Sequence, residues 1–568
     1  MSNYRLTVKQ PSSHWLQIEA TFETQGNNSL VLQLPSWRPG RYELGNFAKN
    51  VRNFSVTDEN GASLKINKIS KDRWEINNVK GESIKARYEY YASELNAGST
   101  FVDDHQIYVN PVNCLVYNPT DMNSVCTLHL PDYGEQWKLA SGLMQNEQGE
   151  LVAKNIHELF DSPFIYGNKM QELNFEVCGA TIHLWFHGIC KPNYAQLQQD
   201  FTKFIESQYN LFGSFAFEKA YHFLFHIVPY SAFHGVEHVN NTVIYLGPSY
   251  TIGTSTAHHS LLGISSHELF HSWNVKTIRP AEMYPYNYAA ENYTKLGYVT
   301  EGFTTYYGDI MLWRSGVWTD QVYLDVLAAL ITKHEQNFGR FNYSVAESSY
   351  DTWLDGYQAG APNRKTSIYT EGAMVALLLD LHIITLSNGK SSLDDIMREL
   401  YILSEKSGYS EEIMEQLVKK YGGEEGAAML HTAVYGKEDL MPFIKTALNK
   451  VGVDLTFAPL DTCETKFGFK FMAEGEHARI VAIYPDSVAD NAGLVVGDLI
   501  TRVNSIAIRK DFNEWFNYFE GEEIKLQVLR QGVAEFIELP KESGTYYQKV
   551  VLKPSNTNEY YNFWKNRN

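Results

Sequence analysis

The chain has 568 residues, too long for one ordinary core, so about three domains are expected. Hydrophobic residues make up 44% and aromatics 14%, which excludes general disorder. A net charge of −18 excludes nucleic acid as the main partner but names no substrate, because acidic excess mostly serves solubility.

Five cysteines, Cys114, Cys126, Cys178, Cys190 and Cys463, are odd in number and lack Cys-x-x-Cys spacing, so free buried thiols are expected, with Cys178 and Cys190 facing each other across a hairpin as the alternative. The first residues carry no apolar segment behind a basic start, and no run reaches the roughly 18 apolar residues of a membrane span. A soluble cytoplasmic protein with no membrane partner is the expectation; a leader trimmed ahead of Ser2 would leave the same residues.

Residues 1–170 read as all-β. Alternating runs at Tyr4–Val8, Leu16–Phe22, Leu30–Leu34, Phe54–Thr57, Ile84–Tyr91 and Cys126–Leu130 are separated by turns such as Pro39-Gly40 and Asn60-Gly61, and predict a sandwich. The loop Trp37-Arg38-Pro39-Gly40-Arg41-Tyr42 reads as a packed turn, with a substrate-side rim as the alternative.

Residues 171–455 mix a few strands with many helices. A helix is expected near 193–212, and Phe233-His234-Gly235-Val236-Glu237-His238 lies between two predicted strands. An edge strand carrying Gly235 and then Glu237 beside a metal helix would suit peptide binding, the substrate adding as a strand while Glu237 meets a positive group. The plain alternative for Glu237 is an exposed strand residue.

The metal helix itself is Ser266-His267-Glu268-Leu269-Phe270-His271-Ser272-Trp273. With 18 His in 568 residues, chance supplies a His-Glu-x-x-His pattern roughly 0.04 times, so its presence is informative. On a helix, residues four apart share a face, so His267 and His271 can close on one cation while Glu268 reaches a water beside it. Imidazole suits Zn²⁺, and a catalytic site uses three protein ligands and one open position. Glu301, thirty residues past His271 in Thr300-Glu301-Gly302-Phe303, is the candidate third ligand; the alternative is a first-turn Glu favoured by the helix dipole. That segment predicts a helix with Thr300 near its start. Farther on, Glu371–Leu386 is nearly all apolar and predicts a buried helix, with Tyr369 just before it.

From residue 456 strands return through Lys466-Phe467-Gly468-Phe469, Ile480–Ile483 and Leu499–Val503, and a polar, aromatic tail spans 546–568. The domains expected are therefore 1–170, 171–455, 456–545 and the tail 546–568.

His267-Glu268-Leu269-Phe270-His271-Ser272-Trp273-Asn274-Val275-Lys276, then Arg279-Pro280, then Thr300-Glu301-Gly302-Phe303, resemble the glycyl aminopeptidase family of zinc metallopeptidases. The resemblance implies a multidomain α+β chain: an N-terminal β-sandwich, a thermolysin-like, mainly helical catalytic domain, and a C-terminal PDZ domain. It implies one zinc ion per chain on His267, His271 and Glu301, with Glu268 as general base. His234-Gly235-Val236-Glu237-His238 matches the exopeptidase signature of the wider aminopeptidase N group, which implies that Glu237 holds the substrate's α-ammonium; Val236 and His238 replace the Met and Asn usual there. Tyr369-Thr370-Glu371-Gly372 matches the tyrosine that supports the oxyanion. Phe467-Gly468-Phe469 and Ala492-Gly493-Leu494 through Asn504 resemble a PDZ domain, which implies a C-terminal peptide ligand held by backbone N–H groups near the Gly-Phe turn. The resemblance further implies peptide substrates beginning with Gly or Ala. The alternatives are a PDZ-directed zinc endopeptidase and a non-catalytic PDZ scaffold.

Overall fold

The computed structural model describes residues 2–567 apart from 359, 405, 460–462, 520 and 542–543. The N-terminal part is a sandwich. A seven-stranded sheet, with Ser2–Thr7 and Trp15–Glu23 at its centre, faces the three-stranded sheet of Ser29–Gln33, Arg73–Asn77 and Lys65–Ser70. Alternation puts Leu16, Ile18, Ala20 and Phe22 inward, and Phe54 stacks on Trp74 across the layers with ring centroids 4.3 Å apart. A smaller four-stranded sheet, which includes Gln106–Val109 and Phe164–Gly167, turns to the next domain.

That domain opens with a five-stranded sheet. Its strands are β1 (Met170–Val177), β2 (Ala180–Gly188), β3 (Ala220–Ile227), β4 (Ala232–Glu237) and β5 (Asn241–Gly247), in the order β1-β2-β3-β5-β4. β4 is thus an edge strand, antiparallel to β5. One sheet face meets the N-terminal domain through Tyr108, Ala140, Ile165, Leu224 and Val243. The other face carries the helices, among them α1 (Tyr194–Phe212), α2 (Ser255–Phe270), α3 (Thr304–Arg314) and α4 (Ile368–Leu386). α4 is long and apolar enough to cross a membrane by length and composition, but from Thr370 to Ile384 its side chains are buried on all sides in this core.

The strand Val453–Ala458 belongs to this body, because it pairs with Lys549–Pro554 and its Val453 and Leu455 enter the same core. The PDZ-like sheet, beginning with β6 (Phe469–Glu474), has its own core of Phe467, Phe469, Ile480, Phe512 and Phe516. It is an insertion between two paired strands rather than an appendage at the end. The tail then forms a helix, Glu559–Asn566, whose Trp564 is fully buried and donates to Tyr306 Oη at 2.8 Å. All five cysteines are free thiols, and Cys178 and Cys190 do not bridge.

Candidate active site

α2 starts at Thr254, whose hydroxyl accepts from the Ala257 amide. It ends at Phe270, three residues before the Trp273 to which the expected helix runs: His271 is the C-cap, still in right-handed geometry. His267 and His271 nevertheless share a face, with their Nε2 atoms 3.0 Å apart. Leu269 and Phe270 anchor the opposite face in the core. Gly308 of α3 lies so close behind that a Cβ there would sit 3.0 Å from the His267 Cα. His271 Nδ1 donates to the Asn274 carbonyl at 2.7 Å, which fixes the tautomer and turns Nε2 inward. Asn274 is itself held by the Val299 carbonyl and the Thr304 hydroxyl.

Glu301 arrives on a π-helical turn, Tyr298–Phe303, that runs directly into α3. The expected helix start at Thr300 is displaced: Thr300 is buried inside the π turn and its hydroxyl bonds the Gly297 carbonyl. A π turn inserts a residue into the helical ladder, and here it presents the Glu301 carboxylate to His271, Oε2 to Nε2 at 3.4 Å. One donor atom from each of His267, His271 and Glu301 falls within 4.8 Å of the others, and the same holds for Glu237, Glu268 and His271.

Tyr369 sits in the first turn of α4, capped by Ser367, not ahead of the helix. Glycine brings it to the site. Gly302 and Gly372 pack backbone to backbone, and a Cβ on Gly302 would lie 2.2 Å from the Gly372 Cα. Burial, with Glu301 nearby, pushes the Tyr369 hydroxyl well above its ordinary range, so it stays a donor.

On β4, a Cβ at Gly235 would lie 2.0 Å from Glu268 Oε1, so only glycine lets the edge strand pass this close to that carboxylate. Glu237 is buried, and its Oε1 has no protein partner. Burial alone would raise its pKa, but His271 and Lys276 outweigh that and hold it below the usual value. Burial pushes the Glu268 carboxyl up to about 8, and Glu237 and Glu301 add to the effect. His271 is opposed by burial, yet Glu301, Glu237 and Glu268 carry it up to about 9. Three buried carboxylates around two imidazoles thus call for added positive charge. The donor set, two imidazole nitrogens and a carboxylate oxygen, fits zinc.

The loop at Trp37–Tyr42, expected to be a packed turn, reaches into this site. Tyr42 Oη donates to Glu301 Oε1 at 3.0 Å, and the Tyr42 amide donates to Tyr357 Oη at 3.2 Å. Gly40 lies against Glu237, where a Cβ would sit 2.5 Å from Oε2. These contacts join positions more than 190 apart in the chain, and no local pattern announces them. In the PDZ-like domain, the Gly468 amide donates to the Glu464 carbonyl as the cap of a short helix, Cys463–Phe467. That amide is therefore committed within the chain and not offered to a ligand carboxylate.

Three family descriptions match the sequence: "Peptidase M61 N-terminal domain" over residues 3–168, "M61 glycyl aminopeptidase" over 260–375, and "PDZ domain" over 479–530. No curated protein matches. Among solved structures, an aminopeptidase N family protein from Idiomarina loihiensis is 26% identical, with a TM-score of 0.91 over 100% of this chain and 99% of its own. An M1 zinc metallopeptidase from Deinococcus radiodurans is 14% identical, with a TM-score of 0.49 over 77% of this chain and 94% of its own. The M61 matches cover the sandwich and both metal-site motifs, and the chain belongs to the M61 glycyl aminopeptidase family of zinc metallopeptidases, with a PDZ domain inserted near its C-terminal end.

Proposed function

We propose that this zinc aminopeptidase removes an N-terminal Gly or Ala from peptides, with His267, His271 and Glu301 holding one zinc per chain. The observation that carries the reading is the closeness of Glu237 to the cluster: one of its oxygens lies within 4.8 Å of donor atoms of Glu268 and His271. An α-ammonium bound at Glu237 leaves room for a single residue before the reacting groups, so the first peptide bond is the one presented. Gly40 and Tyr42 close in on the same carboxylates, which supports a small first residue, as does the glycyl description of the family.

Zinc bound there supplies Lewis acidity for the scissile carbonyl and acidifies a water toward neutral pH. Glu268, whose Oε2 has no protein partner, takes the proton of the attacking water and passes it to the leaving amine. The Tyr369 hydroxyl donates to the developing oxyanion. Gly235 lets the substrate backbone lie along β4 beside Glu268.

The test compares peptides with free and acetylated N-termini. Acetylation removes the charge that Glu237 binds, and a loss of kcat/KM of about a hundredfold or more is expected from an unpaired buried carboxylate. Equal cleavage of both would assign the site to an endopeptidase instead.

A further inference from the structure

β4 continues past the groups described so far. Its side chains alternate: Val236 and Ala232 pack toward the N-terminal domain, while Glu237, Gly235 and Phe233 share the face turned to α2. Phe233 stands opposite Leu246 on β5 and is 64% exposed. Beside it opens a cavity of about 270 Å³, bounded by Phe233, Leu246, Ile252 and Ala257 and by the hydroxyls of Thr254 and Ser260. None of the side chains lining it is charged. Phe233 leaves most of its ring in solvent at the mouth of this recess, where a ligand's apolar side chain would cover it.

We propose that this recess is the subsite for the third residue of the peptide substrate and takes an apolar side chain there. The inference rests on the aminopeptidase reading. Strands advance about 3.3 Å per residue, so Phe233 lies about 13 Å along β4 from Glu237, with Gly235 halfway between. A peptide that pairs antiparallel to β4, its ammonium at Glu237, has its first carbonyl beside Gly235 and Glu268. Its next residues run toward Phe233. Side chains of a paired strand alternate, so the first and third residues share the face on which Phe233 and Leu246 stand. A lysine or glutamate at the third position would meet apolar carbons and neutral hydroxyls, with no opposite charge among the lining side chains.

The experiment measures kcat/KM for C-terminally amidated Gly-Gly-X peptides, with X as Phe, Leu, Lys or Glu, together with glycine p-nitroanilide, which ends before the recess. The readout is the ratio of X = Phe to X = Glu. In the unaltered protein a ratio of about ten or more is expected from one apolar subsite. Phe233→Ala should bring it toward one, and Phe233→Lys should invert it; Phe233 is exposed enough that neither change threatens folding. A ratio near one in the unaltered protein, or the same ratio in all three proteins, overturns the subsite while leaving the aminopeptidase reading standing. No cleavage of glycine p-nitroanilide or of any free-amine peptide overturns the reading and the subsite together.

Discussion

Tyr42 does for Glu301 what the Asn274 carbonyl does for His271: it fixes a candidate zinc ligand from behind. Removing such a partner typically weakens metal binding by about 10–100-fold. Tyr42→Phe should therefore lose zinc to a competing chelator that much more readily, and an unchanged affinity would take Tyr42 out of this arrangement. Tyr369→Phe should behave in the opposite way. It keeps the ligands intact, so zinc affinity holds while kcat falls about 10²–10³-fold, the usual cost of one oxyanion donor. Assaying metal and turnover on both variants separates the two tyrosines. His267, Glu268, His271 and Glu301 were legible in the sequence because their chemistry is written in short motifs, and a four-residue spacing on a helix is a geometric statement. Tyr42 was not, because its hydrogen bond spans 259 positions and exists only once two domains have met.

Two glycines do for the helices what these side chains do for the metal. The π turn at Tyr298–Phe303 and the start of α4 approach through Gly302 and Gly372, and that contact sets how far Tyr369 stands from Glu301. A Cβ at Gly372 would lie 2.4 Å from the Tyr298 carbonyl oxygen and 2.7 Å from the Gly302 Cα, both backbone atoms that cannot rotate away. Gly372→Ala is thus expected to destabilise the catalytic domain by about 1–3 kcal/mol through overpacking. It should also lower kcat more than it raises KM, because it moves an oxyanion donor rather than the amine anchor. A urea midpoint and kcat both unchanged would show that the helices have slack. α2 was legible from its motif, α3 from a helix start near Thr300, and α4 from a nearly continuous apolar run, because that helix is buried all round in one core. The π turn left no trace in the apolar spacing, since one inserted residue in six is too short a departure to register as a period. The insertion of the PDZ-like domain was hidden for a related reason: Val453–Ala458 and Lys549–Pro554 each look like ordinary strands, and only their pairing with each other assigns them to the body.

The molecule as a whole is held by contacts of this long-range kind, and Asp161 makes one that titrates. It follows the last helix of the N-terminal domain, Ile156–Phe160, and meets three groups of the catalytic domain: Lys276 Nζ at 2.7 Å, His238 Nδ1 at 3.2 Å and the Val239 amide at 2.8 Å. Burial alone would raise its pKa, but Lys276 and His238 outweigh burial and hold the carboxyl well below the usual carboxylate range. The unfolded chain, with an Asp pKa of about 3.9, then binds the proton more readily than the folded one. The stability this group contributes is therefore complete above about pH 5 and drains away as pH falls through the acid range. Asp161→Asn leaves the Lys276 ammonium buried without its counter-charge, which should cost about 3–5 kcal/mol near neutral pH. The cost should shrink below about pH 4, where Asp161 of the unfolded chain takes up a proton that the native carboxylate still refuses, so the variant's stability curve is flatter on the acid side. Urea unfolding from pH 3 to pH 7, following the transition of the catalytic body, reads both effects. A second consequence ties this pair to the chemistry. Loosening the N-terminal domain withdraws the loop that carries Tyr42, so Asp161→Asn should also weaken zinc binding, although Asp161 is not among the cluster that holds the metal. Intact zinc affinity alongside a large loss of stability would mean that the loop is seated by its own contacts to Tyr357 and Glu301 and not by the domain interface; a parallel loss of both would make the N-terminal sandwich a working part of the metal site.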